Sequence, residues 1–147
     1  MRLLRWFSKK KKVVRRPIHT SQHHDLKAIF DRVNHDYFEG KVEVPITWFG
    51  SHTHRPRNRF RFGSYNLRTN VVKIHRMLDH PAIPEYCVAF ILYHEMLHHV
   101  LPPLKVKRGR RQIHHQAFVL REKEFREYPQ AQDFLKSLVK GQIHGWS

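Results

Sequence analysis

The sequence of 147 residues has a single cysteine, few acids and no long apolar run. Because Cys87 is alone, an internal disulfide and any zinc ribbon built from several cysteines are excluded, and one thiol fits a reducing compartment. No stretch approaches the ~18 consecutive apolar residues of a membrane-spanning helix. We therefore expect a protein without a membrane span, located in the cytoplasm, with association to a nucleoid or nucleus left open.

The first residues, MRLLRWFSKKKKVVRRP, lack the apolar core and small-residue cleavage site of a secretory signal. Their scarcity of acid, with Asp25 the first, is also compatible with an organelle transit peptide. Four consecutive lysines repel one another, so we predict a flexible basic arm over residues 1–19. Residues 20–147 have the length of one ordinary domain, which we expect to be monomeric.

The sequence contains 12 aspartates and glutamates and 28 lysines and arginines, so its formal net charge is +16 when the histidines are neutral. Three patches, residues 1–17, 51–61 and 105–111, hold eight, four and five of these basic residues and no acid. Such patches displace counterions from polyphosphate, which predicts non-specific affinity for DNA or RNA; the alternative is a solvated face that keeps the protein soluble. The predicted contacts are Lys9, Lys10, Lys11, Lys12, Arg55, Arg57, Arg59, Lys105, Lys107, Arg108, Arg110 and Arg111.

Apolar periodicity predicts an α+β fold with a small, mostly antiparallel sheet of about three strands. A first helix is predicted from an N-cap at Thr20 or Ser21 to Gly40. Alternation in KVEVPITW predicts a strand, in which Pro45 indicates a sheet edge or a strand start. The stretches FRFGSYNL and NVVKIHRML predict a hairpin.

Three further helices are predicted in the second half of the chain. Pro84 suits the first position of a helix that runs to about Leu101, where two prolines forbid continuation. His114 opens the next predicted helix, HHQAFVLREKEFREY, and PQAQDFLKSLVK predicts a last short one.

The string HEMLHH, residues 94–99, lies in the second half of the predicted central helix. Residues four apart on a helix project from one face, so His94 and His98 offer two imidazole nitrogens to one ion. Glu95 points about 100° away, close enough to act on a water without becoming a ligand. The two histidines share an apolar face, where unpartnered imidazoles would cost roughly 1–3 kcal/mol each. The spacing predicts one Zn²⁺ with Glu95 as catalytic base, whereas His99 faces elsewhere.

A catalytic zinc needs a third protein ligand and an open position. The long-spacing class HExxHxxGxxH is excluded, because leucines stand three and six residues after His98. In another class a glutamate of the next helix serves, which leaves Glu122 and Glu124 as candidates. His114 opens that predicted helix with Phe118 one turn on, pointing the same way, so we favour His114, then His115, then Glu122.

Five elements resemble, in order, those of the SprT-like family of zinc peptidase domains: FDRVNHDYFEGKV, ITWFG, FGSYNLRTNVVKIHRML, YHEMLHH and HHQAF. The match covers roughly residues 25–135. The resemblance implies a zincin-like minimal metalloprotease fold, His94, His98 and His114 as zinc ligands, and a protein or peptide substrate. Many relatives carry a C-terminal zinc ribbon, for which this chain lacks the cysteines.

The predicted function is therefore that of a zinc-dependent endopeptidase which hydrolyses peptide bonds with a metal-activated water and acts on nucleic-acid-associated proteins. The alternative is a non-enzymatic basic nucleic-acid-binding protein with a structural zinc. The glutamate favours the enzyme, because a structural site would not need Glu95 and would usually close its fourth position. Tyr93, Tyr128 and a loop arginine are the candidates for stabilising the oxyanion.

Overall fold

The computed structural model describes residues 21–52 and 60–141. The predicted arm, residues 1–19, lies outside the described residues, and so do seven of the predicted nucleic-acid contacts: Lys9, Lys10, Lys11, Lys12, Arg55, Arg57 and Arg59.

Four helices and five strands form the described part of the chain. Their order is α1 Leu26–Phe38, β1 Ile46–Phe49, β2 Gly63–Asn66, β3 Val71–His75, α2 Glu85–Val100, β4 Leu104–Lys105, β5 Arg111–Gln112, α3 Gln116–Glu122 and α4 Tyr128–Val139. Short 3₁₀ turns, Arg76–Leu78 and Lys107–Gly109, follow β3 and β4. The predicted α+β class is confirmed. None of these helices has the length and apolar character needed to span a membrane.

The main sheet has the strand order β1-β3-β2. Strands β2 and β3 form the predicted antiparallel hairpin, in which Gly63 lies opposite Ile74. Strand β1 pairs parallel to β3, with Ile46 opposite Val72, so the three-stranded sheet is mixed. After β1 the chain crosses to the far edge of the sheet, where it forms β2. The hairpin then places β3 in the centre, between β2 and β1. Both β1 and β2 are therefore edge strands, as Pro45 indicated for the first.

Strand β1 is shorter than the alternating pattern KVEVPITW suggests. The backbone near the start of that pattern is bonded to a side chain of α1 and not to another strand. The amide of Asn34 donates to the carbonyl of Val42 (2.8 Å) and accepts from its N–H (3.0 Å). Val42 is buried, yet its backbone groups bond to α1 and not to a strand. Sheet pairing begins after Pro45, whose carbonyl accepts from the N–H of Val72.

Helix α1 begins at Leu26, four residues later than an N-cap at Ser21 would place it. Asp25 is the N-cap and accepts a hydrogen bond from the N–H of Ala28. The hydroxyl of Ser21 instead accepts from the indole N–H of Trp48 at 3.0 Å. The predicted N-cap is therefore wrong, because the hydroxyl that suggested it binds the sheet.

Asp79, at the end of the 3₁₀ turn after β3, holds the segment before α1. Its buried carboxylate accepts from the backbone N–H groups of Gln22 (2.6 Å), His23 (2.8 Å) and His24 (2.8 Å). Burial by itself raises the pKa of Asp79, but these three donors outweigh it and lower the pKa. The segment is thus tied to a part of the chain more than 50 residues away.

Helix α2 is the centre of the molecule and packs against α1, the hairpin strands, α3 and α4. It is apolar nearly all round, as expected of a helix buried on most sides. Pro84 is its N-cap and not, as predicted, its first residue. Cys87 is fully buried as the sequence indicated, and Leu92 and Met96 are equally inaccessible. Burying each such side chain contributes about 1.5–3 kcal/mol.

The helix predicted to start at His114 is shorter at both ends. Helix α3 begins only at Gln116 and ends at Glu122, and α4 begins at Tyr128. Pro129 lies in the first turn of α4, where its missing N–H costs nothing, and it would break a continuous helix. The last predicted helix is confirmed to within one residue at each end.

Candidate metal centre and active site

Three imidazole nitrogens converge at the end of α2. The Nε2 atoms of His94 and His98 are 3.2 Å apart, and the Nε2 atoms of His98 and His114 are 3.3 Å apart. All three ligand atoms lie within 4.8 Å of one another. In a tetrahedral site with Zn–N bonds of about 2.0–2.1 Å, neighbouring nitrogens lie ~3.3 Å apart. The three side chains fit a zinc ion, and the structure brings His114 to the pair that the helical spacing predicted.

Glu122 is not one of the three converging ligands. It is hydrogen-bonded to Nδ1 of His94, the ring nitrogen that does not face the other histidines. Its Oε1 lies 2.7 Å from Nδ1 of His94, which donates its proton there. The other ring nitrogen of His94, Nε2, faces the other two histidines. A carboxylate in this position fixes the tautomer and orientation of a metal-binding histidine. No local spacing signals this contact, because 28 residues separate the two partners.

His115 has a structural role, which separates it from His114. It is the N-cap of α3: its Nδ1 accepts from the N–H of Phe118 at 3.4 Å, and its Nε2 lies 3.2 Å from the carbonyl oxygen of Pro102. The ring is buried, whereas that of His114 is exposed. His114 lies in a bend before α3 and does not open the helix as predicted.

Phe118 packs against all three histidines. Its ring stacks on His98 at 4.6 Å between centroids and contacts His94 at 5.1 Å and His114 at 4.9 Å. Phe118 itself is fully buried. One rigid apolar ring thus limits the rotamers of the three imidazoles, and this agrees with the predicted common direction of His114 and Phe118.

Glu95 is 6% exposed and lies against strand β2. The approach is so close that a Cβ atom on Gly63 would stand 2.9 Å from its Oε1 and 2.7 Å from Cγ2 of Ile91. Burial raises the pKa of Glu95 to about 7, although the neighbouring His94 and Arg61 act in the opposite direction. A carboxylate with a pKa near the working pH is suited to exchange protons with a reacting group.

Two of the three histidines, His98 and His114, have lowered pKa values that favour their neutral forms. Burial, together with the neighbouring His94 and His114, lowers the pKa of His98 to about 3. Burial is also the largest cause that lowers the pKa of His114. Neutral imidazole is the form that coordinates a metal, so these two rings need to lose no proton before binding at neutral pH.

Two cavities meet at this centre, one of about 530 Å³ and one of about 340 Å³. Arg61, Gly63, His94 and Glu95 line both of them. The smaller cavity also reaches His98 and His114, and it contains the edge strand β2 from Gly63 to Tyr65. A peptide lying along β2 would therefore pass directly over Glu95.

The tyrosines proposed for the oxyanion lie away from the cavities. Tyr93 is fully buried and its hydroxyl donates to the backbone carbonyl of Arg121, and neither Tyr93 nor Tyr128 is among the residues that line either cavity. Arg61, a loop arginine, lines both. Tyr65, which was not among the oxyanion candidates, lines the smaller cavity, and its hydroxyl lies 2.8 Å from Nδ1 of His99. His99 thus contacts a residue in the wall of the smaller cavity and is not one of the three converging histidines.

The third basic patch forms a hairpin beside the metal centre. Strands β4 and β5 pair antiparallel, and the turn between them contains Arg108 in a left-handed conformation (φ 67°). We call Leu104–Gln112 the basic hairpin. It connects the end of α2 to His114, and flanking Pro103 and Ile113 line the smaller cavity. All five predicted contacts on it are exposed: Lys105, Lys107, Arg108, Arg110 and Arg111.

Comparisons with known proteins relate the chain to a peptidase by its fold. No protein-family model and no curated protein sequence matches it. Among solved structures, it is similar to the crystal structure of the metallopeptidase zymogen of Methanocaldococcus jannaschii jannalysin, with a TM-score of 0.53 and 12% sequence identity. The likeness covers 84% of this chain and 96% of the other. This small α+β chain therefore has a metallopeptidase-like fold, with three histidines placed so that they could hold a metal ion.

Proposed function

We propose that the protein is a zinc-dependent endopeptidase of the SprT-like type. The observation that carries this proposal is the convergence of three Nε2 atoms next to a buried glutamate, at the meeting point of two open cavities. The metallopeptidase-like fold supports it. A structural zinc would need neither the cavities nor a carboxylate whose pKa is tuned to about 7.

The residues of the chain divide the work of peptide hydrolysis. A zinc ion on the three histidines supplies Lewis acidity, which activates water at neutral pH and polarises a carbonyl. Glu122 orients His94, and Glu95 accepts a proton from the attacking water and returns it to the leaving amine. The free edge of β2 aligns an extended substrate as an added strand, and Arg61 stands at the same place.

The Glu95→Gln variant tests this proposal. It keeps the size of the side chain but cannot accept the proton, so we expect cleavage of an unfolded protein such as casein to fall by about 10²–10⁴-fold. Zinc content, measured by atomic emission, should stay at the wild-type level. Glu124→Gln makes the same chemical change at an exposed position and should cleave normally. A Glu95→Gln protein that cleaves as fast as wild type would rule out the mechanism.

We also propose that the substrates are proteins associated with nucleic acid. The supporting observation is the position of the basic hairpin, whose five exposed cations lie on the segment that leads to His114. A backbone phosphate bound there would bring an attached protein to the smaller cavity. The alternative function, a basic nucleic-acid-binding protein with a structural zinc, shares this affinity but predicts no cleavage, so the Glu95→Gln comparison separates the two.

A further inference from the structure

We propose that the larger cavity is a specificity pocket for a bulky apolar side chain of the substrate, and that Lys136 and Lys140 at its rim bind a carboxylate next to that side chain. This inference rests on the proposed peptidase function and names the substrate class of the same site.

The pocket is continuous with the catalytic centre. His94 and Glu95 belong to its lining, so a side chain that occupies it belongs to a residue close to the bond being cleaved. Its volume of about 530 Å³ lies in the range of pockets that enclose small ligands, about 300–1,000 Å³. Most of the other lining residues are large and apolar: Phe60, Phe62, Phe90, Ile91, Leu135 and Val139.

Helix α4 forms one wall and presents two parallel rows to the pocket. Residues four apart lie on the same face of a helix. Leu135 and Val139 make an apolar row, and beside it Gln132, Lys136 and Lys140 make a polar row. A bound residue would bury its apolar side chain against the first row, while the adjoining substrate residue lies at the second.

The charges around the pocket favour a substrate carboxylate. Its acidic lining residues are Glu122, which is bonded to His94, and Glu95, the proposed base. Neither Lys136 nor Lys140 takes part in an ion pair within the described residues, and both are exposed. These two lysines give the rim of the pocket a positive charge that forms no ion pair within the described residues, and Arg61, which lies near Glu95, adds a third cation to the lining. The carboxylate is that of an aspartate or glutamate side chain, or the C-terminal carboxylate of the substrate chain.

Quenched fluorescent peptides of otherwise identical sequence test the pocket. They carry phenylalanine, leucine or alanine at one position, and aspartate, asparagine or lysine at the next, with a free or an amidated C-terminus. We expect kcat/KM to be about tenfold higher for phenylalanine or leucine than for alanine, and highest when aspartate follows. A preference confined to the free C-terminus would identify the chain end as the carboxylate that is bound.

The double variant Lys136→Glu/Lys140→Glu should reverse the charge preference. We expect kcat/KM to fall about tenfold for the aspartate peptide and to rise for the lysine peptide. The change is no larger because each exposed ion pair is weak. The neutral asparagine peptide should show little change. Lys41→Glu/Lys73→Glu changes the net charge equally, at exposed positions that do not line the pocket. Equal effects of both double variants, or no preference in the wild type, would overturn the inference.

Val139→Trp tests the apolar wall separately. Filling the pocket should lower kcat/KM for the phenylalanine and leucine peptides more than for the alanine peptide, so that the preference among the three is lost. Fluorescence anisotropy measures the affinity of labelled peptides for the Glu95→Gln protein, and this measurement separates the pocket proposal from the peptidase proposal. If wild type cleaves nothing but the aspartate peptides still bind most tightly, the pocket stands and the peptidase proposal fails; if peptides are cleaved without selectivity, the reverse holds.

Discussion

His114 and His115 are neighbours in sequence, but their rings contact different partners. His114 points its Nε2 at His98, whereas His115 caps α3 and contacts Pro102. We expect His114→Ala to lose the zinc ion. His115→Ala should keep zinc but lower the free energy of unfolding by about 0.5–2 kcal/mol, the usual cost of a lost N-cap. Zinc content and denaturant unfolding check this, and loss of zinc only from His115→Ala would reverse the assignment.

Glu122 is expected to control zinc affinity without touching the ion. Its bond to Nδ1 of His94 holds the ring in place, and such partners typically contribute 10–100-fold in metal affinity. Glu122→Ala should weaken zinc binding by that factor in a competition with a chelator. Glu122→Gln is the matched control, because its amide oxygen can still accept the hydrogen bond. Equal affinity in Glu122→Ala and wild type would contradict this role.

Ligands that lie on a single helix could be predicted from the sequence, whereas contacts between helices could not. The i, i+4 spacing of His94 and His98 follows from helix geometry and needs no tertiary information. The choice of His114 over His115 came from its predicted common direction with Phe118 and was supported by a family resemblance, and the three Nε2 atoms converge accordingly. The contact of Glu122 with His94 depends on how α3 packs on α2, which no local pattern encodes.

At the scale of elements, the link between Asp79 and residues 22–24 is expected to contribute to stability in a pH-dependent way. The pKa of Asp79 is lowered in the folded state relative to about 3.9 when unfolded. Its contribution is therefore complete above about pH 4 and is lost as the pH falls through the folded pKa. Asp79→Asn should cost about 1–3 kcal/mol at pH 7 and less at pH 3.

Urea unfolding at the two pH values measures this difference. Asp133→Asn, at an exposed position of α4, is the matched control and should show no such pH-dependent loss. An Asp79→Asn protein that is as stable as wild type at pH 7 would contradict the prediction.

The same link explains why the start of α1 was wrongly predicted. Residues 22–24 present their N–H groups to Asp79, more than 50 residues away, so they stay outside the helix. Helix α2, the hairpin and α4 were predicted well, because their periodicity and prolines are local signals. The parallel pairing of β1 with β3 has no such signal, since it is decided by which strand occupies the centre of the sheet.

At the scale of the whole molecule, the net charge of +16 is expected to produce salt-dependent binding to DNA or RNA of any sequence. Replacing Lys107, Arg108 and Arg110 of the basic hairpin by serine should weaken binding. The slope of log K against log salt should also decrease, by about 2–3 if each cation neutralises one phosphate. Titration of a labelled oligonucleotide at several salt concentrations measures both quantities.

A control variant with Lys27, Lys41 and Lys73 replaced by serine removes the same charge from exposed positions outside the basic hairpin. It should change the slope much less. Binding that does not depend on salt in the wild type would exclude the electrostatic mechanism.

The burial of Cys87 gives the molecule an intrinsic probe of its own opening. The thiol lies on α2, two turns before His94, and burial raises its pKa to about 12. A disulfide reagent can therefore attack it only in molecules whose central helix has transiently separated from its neighbours. Because this is the one cysteine of the chain, each reaction event counts one molecule. The labelling rate with and without zinc would measure how strongly the ion opposes that separation.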